Sequence, residues 1–217
     1  MVINKETAAF VAEHLLQIKA IKLNNSKPFV WASGLHSPIY CDNRIALSFP
    51  DIRTFIRHEL VKQVSEHYGD VEVIAGVATA GIPQGVLVAQ ELGLPFIYVR
   101  SAKKSHGLTN QIEGRLNEGQ TVVVIEDLVS TGKSSLNAVH AIREAGGVVK
   151  GMAAIFTYGL PVADENFKAA GCDLIALSDY DHMIRKAMDM DYISAKDKVS
   201  LMEWRKDPQA WSDQHKK

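Results

Sequence analysis

Cysteine is scarce: only Cys41 and Cys172 occur, far apart and outside any CxxC or Cys/His spacing. Neither a zinc site nor a disulfide framework is therefore supported, and a reduced, cytoplasmic setting is expected. A charge excess of one sign is missing too. With 24 Lys and Arg against 25 Asp and Glu, the formal net charge is -1, whereas a nucleic-acid or anionic-membrane binder carries a basic bias. No apolar run approaches the ~18 residues that a membrane span needs. The first apolar residues are interrupted by Lys5, Glu6, Glu13 and His14, so no secretory leader is expected. Linkers rich in Pro, Gly and Ser, internal repeats and low-complexity tracts are also lacking. For 217 residues this predicts a single domain over 1–217.

What is present is an ordered alternation. Phe10, Val11, His14, Leu15, Ile18 and Ile21 recur at helical spacing after a cap at Asn4 or Thr7, predicting an opening helix. Residues 22–44 read as irregular, and 51–68 return to helical periodicity. Short β-branched runs at 71–77, 95–100, 120–127, 148–158 and 172–179 then alternate with helical patterns at 82–93, 134–147 and 163–170. Gly93, Gly146 and Gly147 stand where helices should end. Continuous apolar strands separated by helices imply an α/β fold whose central, mainly parallel sheet is flanked by helices. Residues 180–217 read as a helical tail ending in a polar, frayed stretch.

Chemistry concentrates in residues 122–134, VVVIEDLVSTGKS. In such sheets ligands bind beyond the carboxyl ends of strands, which is where Glu126 and Asp127 fall. Hydroxyls, a glycine and a helix N-terminus follow, and together they make a phosphate cradle; Ser130 and Thr131 would also serve as plain helix caps. The Gly132-Lys133-Ser134 string mimics the end of a P-loop, but the first glycine of that motif would fall on Asp127. Adjacent carboxylates suit hydroxyl donors better than phosphate. A diol beside a phosphate is a ribose 5-phosphate.

Two other segments stand out. Between Arg100 and Gln120 lies a connection much longer than is usual within a domain, with Lys103, Lys104 and His106 beside Gly107. Such a loop suits a lid over an anionic leaving group. Small residues at 75–82, AGVATAGI, would let amides approach an anion or would simply pack a strand tightly against a helix.

The acid pair followed by hydroxyls and glycine resembles the phosphoribosyl pyrophosphate (PRPP) signature of type I phosphoribosyltransferases. Residues 31–44, WASGLHSPIYCDNR, and 98–114 from Tyr98-Val99-Arg100 through Lys104 and His106 to Glu113-Gly114 extend the resemblance to the orotate phosphoribosyltransferases. It implies the type I fold with an N-terminal hood (about 1–45), a long mobile catalytic loop and a C-terminal helical tail (about 180–217). It implies transfer from PRPP to orotate in the pyrimidine route to UMP, with Mg2+ held mainly through substrate, and a cytoplasmic homodimer with shared sites.

By the same resemblance Ser130, Thr131, Gly132, Lys133 and Ser134, with Leu128 and Val129, form the PRPP loop. Glu126 and Asp127 take the ribose hydroxyls, while Arg100, Lys104 and His106 take the pyrophosphate. Lys104, His106 and Asp127 are the catalytic candidates. Tyr40, Arg44 and Ser130 are the orotate candidates. Ala32, Ser101 and Tyr158 stand where the enterobacterial branch carries basic residues, so recognition of the orotate carboxylate falls outside the match. Transfer to another base, or PRPP sensing without catalysis, are the rival readings.

Overall fold

Asn4 opens the fold as a side-chain cap, its Oδ1 accepting from the amides of Glu6 and Thr7. Thr7 is thereby left inside the helix, where its hydroxyl donates to Glu59 at 2.8 Å. The computed structural model describes residues 2, 4–31, 33–101 and 111–216.

Helix α1 (Lys5–Gln17) buries Val11, Leu15 and Leu16. It stops four residues short of Ile21, because Ile21 is taken into a strand. The stretch read as irregular is built from four short strands: β1 (Ile21–Leu23), β2 (Phe29–Val30), β3 (His36–Ser37) and β4 (Ile39–Cys41). β1 pairs antiparallel with β4, and β2 with β3. Strands of two or three residues carry no readable period, so only their pairing reveals them. A 3-10 turn (Asn43–Ser48) leads into α2 (Pro50–Tyr68), where proline at the first turn starts the helix without losing a needed N–H.

Then come β5 (Val73–Val77), α3 (Gly81–Leu92), β6 (Phe96–Val99), β7 (Ile112–Glu113), β8 (Thr121–Val129) and α4 (Lys133–Glu144). The chain finishes with β9 (Val148–Thr157), α5 (Pro161–Ala169), β10 (Leu174–Asp179), α6 (Tyr180–Asp189), α7 (Ala195–Lys206) and α8 (Pro208–His215). The main sheet runs β10-β9-β8-β5-β6-β7, parallel throughout except for antiparallel β7. β5 is buried along its whole length, as expected of a strand covered on both faces. Apolar side chains from the two faces form two cores, one toward α1, α2 and the tail and one toward α4 and α5.

Two features position the site. From β5 the chain moves outward to β6 and then returns across β5 to β8, so β5 and β8 flank the switch point of the sheet. β8 pairs with β5 only as far as Ile125, but with β9 as far as Val129. Glu126 and Asp127 therefore lie within the strand rather than beyond it, at the place where one neighbour has ended. A crevice opens there.

The tail differs from expectation. It is helical, but it is not frayed: Leu201 and Trp204 of α7 and Trp211 and Ser212 of α8 are buried. Ser194 and Asp197 form a reciprocal capping box at the start of α7. Among the described residues no helix is long and apolar enough to cross a membrane.

Candidate active site

The loop after β8 ends on Gly132, whose φ of 78° lies in the left-handed region and whose added Cβ would sit 2.7 Å from the Phe167 ring. Glycine is required on both counts. Gly132 is the N-cap of α4, and no side chain caps that helix. Neither Ser130 nor Thr131 caps it, so its first-turn amides carry no side-chain cap. Lys133 and Ser134 are exposed on that turn, and Thr131 is held from behind by Asn166, which donates to its carbonyl at 2.9 Å.

The two acids divide their surroundings. Glu126 is buried and accepts from the Ser135 hydroxyl at 2.9 Å and from the Asp127 amide at 3.1 Å. Burial, with the adjacent charge of Asp127 adding to it, pushes the Glu126 carboxyl well above the usual carboxylate range. Asp127 is also raised by burial, against an opposing hydrogen bond with Glu126. Its main-chain oxygen accepts from Asn43 Nδ2 at 2.7 Å. Asn43 is itself buried, and its Oδ1 takes the Cys41 thiol at 3.3 Å. This latch ties the N-terminal strands to the acid pair. Sequence reasoning missed Asn43, because its partner lies 84 positions away.

The raised Glu126 carboxyl makes stability depend on pH. An unfolded glutamate titrates near 4.5. The native state keeps its proton to higher pH, so stability is fullest below about 4.5 and falls as pH climbs through the raised native value. Glu126→Gln removes this titration while retaining an acceptor for Ser135. The ligand-free variant should gain more melting temperature over wild type at pH 8 than at pH 5; equal gains at both would contradict the assignment.

Opposite the crevice, Gly81 begins α3 so close to β8 that a Cβ there would lie 2.5 Å from the Ile125 carbonyl oxygen. At Gly81, therefore, a small residue is needed for strand-to-helix packing. The Ala78–Thr79 peptide is cis, and the Ala78 amide donates to the Val99 carbonyl at 2.9 Å. That bond sets this turn beside Arg100. Arg100 and Gln111 are joined by two bonds, Arg100 N to the Gln111 carbonyl at 2.9 Å and Gln111 Nε2 to the Arg100 carbonyl at 3.1 Å. The Arg100 guanidinium lies 3.7 Å from Glu113. Lys103, Lys104, His106 and Ala32 lie outside the described residues.

A cleft of about 450 Å³ continues from the crevice, lined by Val30, Trp31, Tyr40, Cys41, Leu128, Ser130 and Tyr158. Tyr40 is partly exposed, with its ring 5.7 Å from Phe29. Trp31 and Tyr158 stack at 5.5 Å. Ser130 belongs both to the loop after β8 and to the cleft wall. Arg44 is not among the lining residues: it grips Asp42 through Nε at 2.6 Å and Nη2 at 2.9 Å. Trp31 and Tyr158 emerge as walls. In sequence Tyr158 stands out only as a non-basic residue, whereas in the structure it is buried in an aromatic cluster. Among the described residues no group of three or more His, Cys, Asp or Glu side chains could hold a metal ion by itself, while the acid pair puts oxygen donors, the kind a hard cation such as Mg2+ takes, beside the loop.

Comparison with known proteins agrees with this layout. The phosphoribosyl transferase domain matches residues 53–182. An orotate phosphoribosyltransferase of Porphyromonas gingivalis is 54% identical over 95% of this chain and 99% of its own. That of Phocaeicola vulgatus is 56% identical over 92% and 94%. The crystal structure of orotate phosphoribosyltransferase from Aeropyrum pernix superposes with a TM-score of 0.73 at 26% identity, covering 85% of this chain and 99% of that one. With a family model matched over more than half of its length and relatives matched over nearly their whole length, the chain belongs to the phosphoribosyl transferase domain family and, within it, to the orotate phosphoribosyltransferases.

Proposed function

We propose that the chain carries out its transfer from PRPP to orotate with the ribose phosphate in the crevice at Glu126–Ser134 and the base in the adjoining cleft. One observation carries the reading: Leu128 and Ser130 belong both to the phosphate loop and to the cleft wall. A flat ring in the cleft and a sugar on the loop would then be joined at the anomeric carbon.

The first-turn amides of α4, with Ser130 to Ser134, take the 5-phosphate. Asp127 and Glu126 accept from the ribose hydroxyls, and Asp127 is placed to handle a proton should the acceptor arrive protonated. Tyr40 stacks on the pyrimidine. Arg44 meets the orotate carboxylate only by exchanging its bond to Asp42. The orotate ring nitrogen attacks the anomeric carbon as the C–O bond from that carbon to the pyrophosphate breaks, and negative charge gathers on the leaving group. Arg100, Lys104 and His106 neutralise that charge. When bound through substrate oxygens, Mg2+ supplies further neutralisation there.

The decisive assay mixes the protein with PRPP, Mg2+ and one base at a time, following loss of orotate absorbance and release of pyrophosphate. Turnover with orotate is expected, to give orotidine 5'-phosphate. Turnover with a purine or uracil instead would overturn the acceptor assignment.

A cytoplasmic homodimer with shared sites is part of the same proposal, supported by the resemblance of the Lys104 loop to one that reaches a neighbouring subunit. Mixing two inactive variants, Lys104→Ala and Asp127→Ala, tests it. If each site draws Lys104 from the other protomer, half of the sites in mixed dimers are intact, and about a quarter of wild-type activity should return. No recovery after subunit exchange would mean that each chain completes its own site.

A further inference from the structure

The hood and the tail fall on opposite sides of the matched 53–182 domain, yet they grip each other at three places. Asn25, between β1 and β2, donates through Nδ2 to the Asp197 carboxylate at 2.8 Å and to its carbonyl at 3.2 Å, at the start of α7. The His36 amide in β3 donates to the hydroxyl of fully buried Ser212 in α8 at 2.9 Å. Trp204 of α7, also fully buried, meets Trp31 edge-on at 5.7 Å and Tyr158 edge-on at 5.5 Å.

Trp31 and Tyr158 line the cleft, and neither is positioned by the sheet alone. Trp31 follows the two-residue β2, a strand too short to hold an indole ring in place. Its Nε1 donates to the Ile39 carbonyl at 3.1 Å, and its ring face lies against Tyr158. The remaining support comes from Trp204, which is held in turn by stacking on Tyr180 at 5.6 Å. Trp204 Nε1 is buried without a hydrogen-bond partner among the described residues. Its ring is therefore there for shape, at some cost in unsatisfied polarity.

We propose that helices α7 and α8 act as a clasp on the hood, with Trp204, Ser212 and Asp197 as positioning residues that hold Trp31 and Tyr158 as the acceptor wall of the cleft. The proposal rests on the reading of that cleft as the orotate site. None of the three touches the phosphate loop, so the clasp sets acceptor affinity and leaves PRPP binding alone. A tail that only added bulk stability would affect both substrates alike.

Steady-state kinetics with orotate and PRPP varied separately test this on the full chain. Trp204→Ala should raise the orotate KM about tenfold, while the PRPP KM stays within about twofold. Trp204→Phe, which removes no hydrogen bond, should restore it. Because Trp204→Ala opens a large hole, the double variant Asn25→Ala/Ser212→Ala provides a milder version that leaves the aromatic packing in place; about a fivefold rise in orotate KM is expected. An orotate KM within twofold of wild type in the double variant, or a parallel rise in both KM values, would overturn the clasp. Tyr40→Ala separates the two levels of the argument. If Tyr40→Ala leaves the orotate KM unchanged, the cleft is not the acceptor site and the reading beneath the clasp falls; if Tyr40→Ala raises it and the clasp variants do not, the clasp alone fails.

Discussion

Lys104→Ala is expected to lower kcat about a hundredfold while circular dichroism and melting stay at wild-type values, because one preorganised charge contact on a leaving group is worth on the order of 3 kcal/mol. The reason lies in where charge develops. On the proposed reading, the ribose and its 5-phosphate are held by groups that touch substrate and transition state alike, such as the α4 amides and the acid pair. The leaving pyrophosphate gains charge only as its bond breaks, so a cation that meets it then acts on kcat. The Arg100 guanidinium lies 3.7 Å from Glu113, so its charge is shared with that carboxylate. The stems of the Lys104 loop are tied to each other by the Arg100–Gln111 bonds and set beside the Ala78 turn. Stopped-flow or steady-state release of pyrophosphate at saturating substrates measures the effect. An unchanged kcat would remove Lys104 from the chemistry.

Gly81→Ala is expected to act through the backbone instead. Its Cβ would come 2.5 Å from the Ile125 carbonyl oxygen, 3.3 Å from the Ile125 carbonyl carbon and 3.4 Å from Glu126 Cα. None of these belongs to a side chain that can turn away. Either α3 lifts from β8 or β8 bends, at a cost of about 2–3 kcal/mol for overpacking. For a chain of this length that lowers the melting temperature by roughly 5–10 °C. The strain falls where β8 has just lost β5 as a partner, so PRPP affinity should drop as well, with a raised PRPP KM even at temperatures where the variant is fully folded. A variant that melts and binds PRPP like wild type would show that the helix start yields without disturbing the acid pair.

The parallel sheet, the phosphate loop and the acid pair were legible because local pattern and tertiary role coincide there. β5 and the central stretches of β8 (122–125) and β9 (152–156) are buried on both faces, so their sequences are continuous apolar runs there. Gly132 carries a positive φ that only glycine adopts without strain. Where the two diverge, the sequence misleads. Glu126 and Asp127 read as the end of a strand, since acids are poor strand formers, yet β9 pairs with this stretch through Val129. The hood's strands are too short for periodicity. The last stretch of the tail reads as polar because Leu201, Trp204 and Trp211 are the few buried apolar side chains of α7 and α8, and some of their partners, Trp31 among them, lie at the other end of the chain. Tyr158 was read against a basic residue in relatives, a comparison of charge that says nothing about the aromatic neighbours around it.

The placement of the indole rings has a spectroscopic corollary. The chain contains 3 tryptophans: Trp31 in the hood, Trp204 packed on it, and Trp211 one helix further on, its Nε1 donating to Ser200 and its ring lying flat on His215 at 3.6 Å. None is in the parallel sheet, the phosphate loop or the long connection after Arg100. Intrinsic tryptophan emission therefore originates entirely at the seam between the two ends of the chain. If the cleft takes the acceptor as proposed, the protein carries an unlabelled fluorescent reporter of that side of its site, whereas the loop after β8 contributes no indole signal of its own.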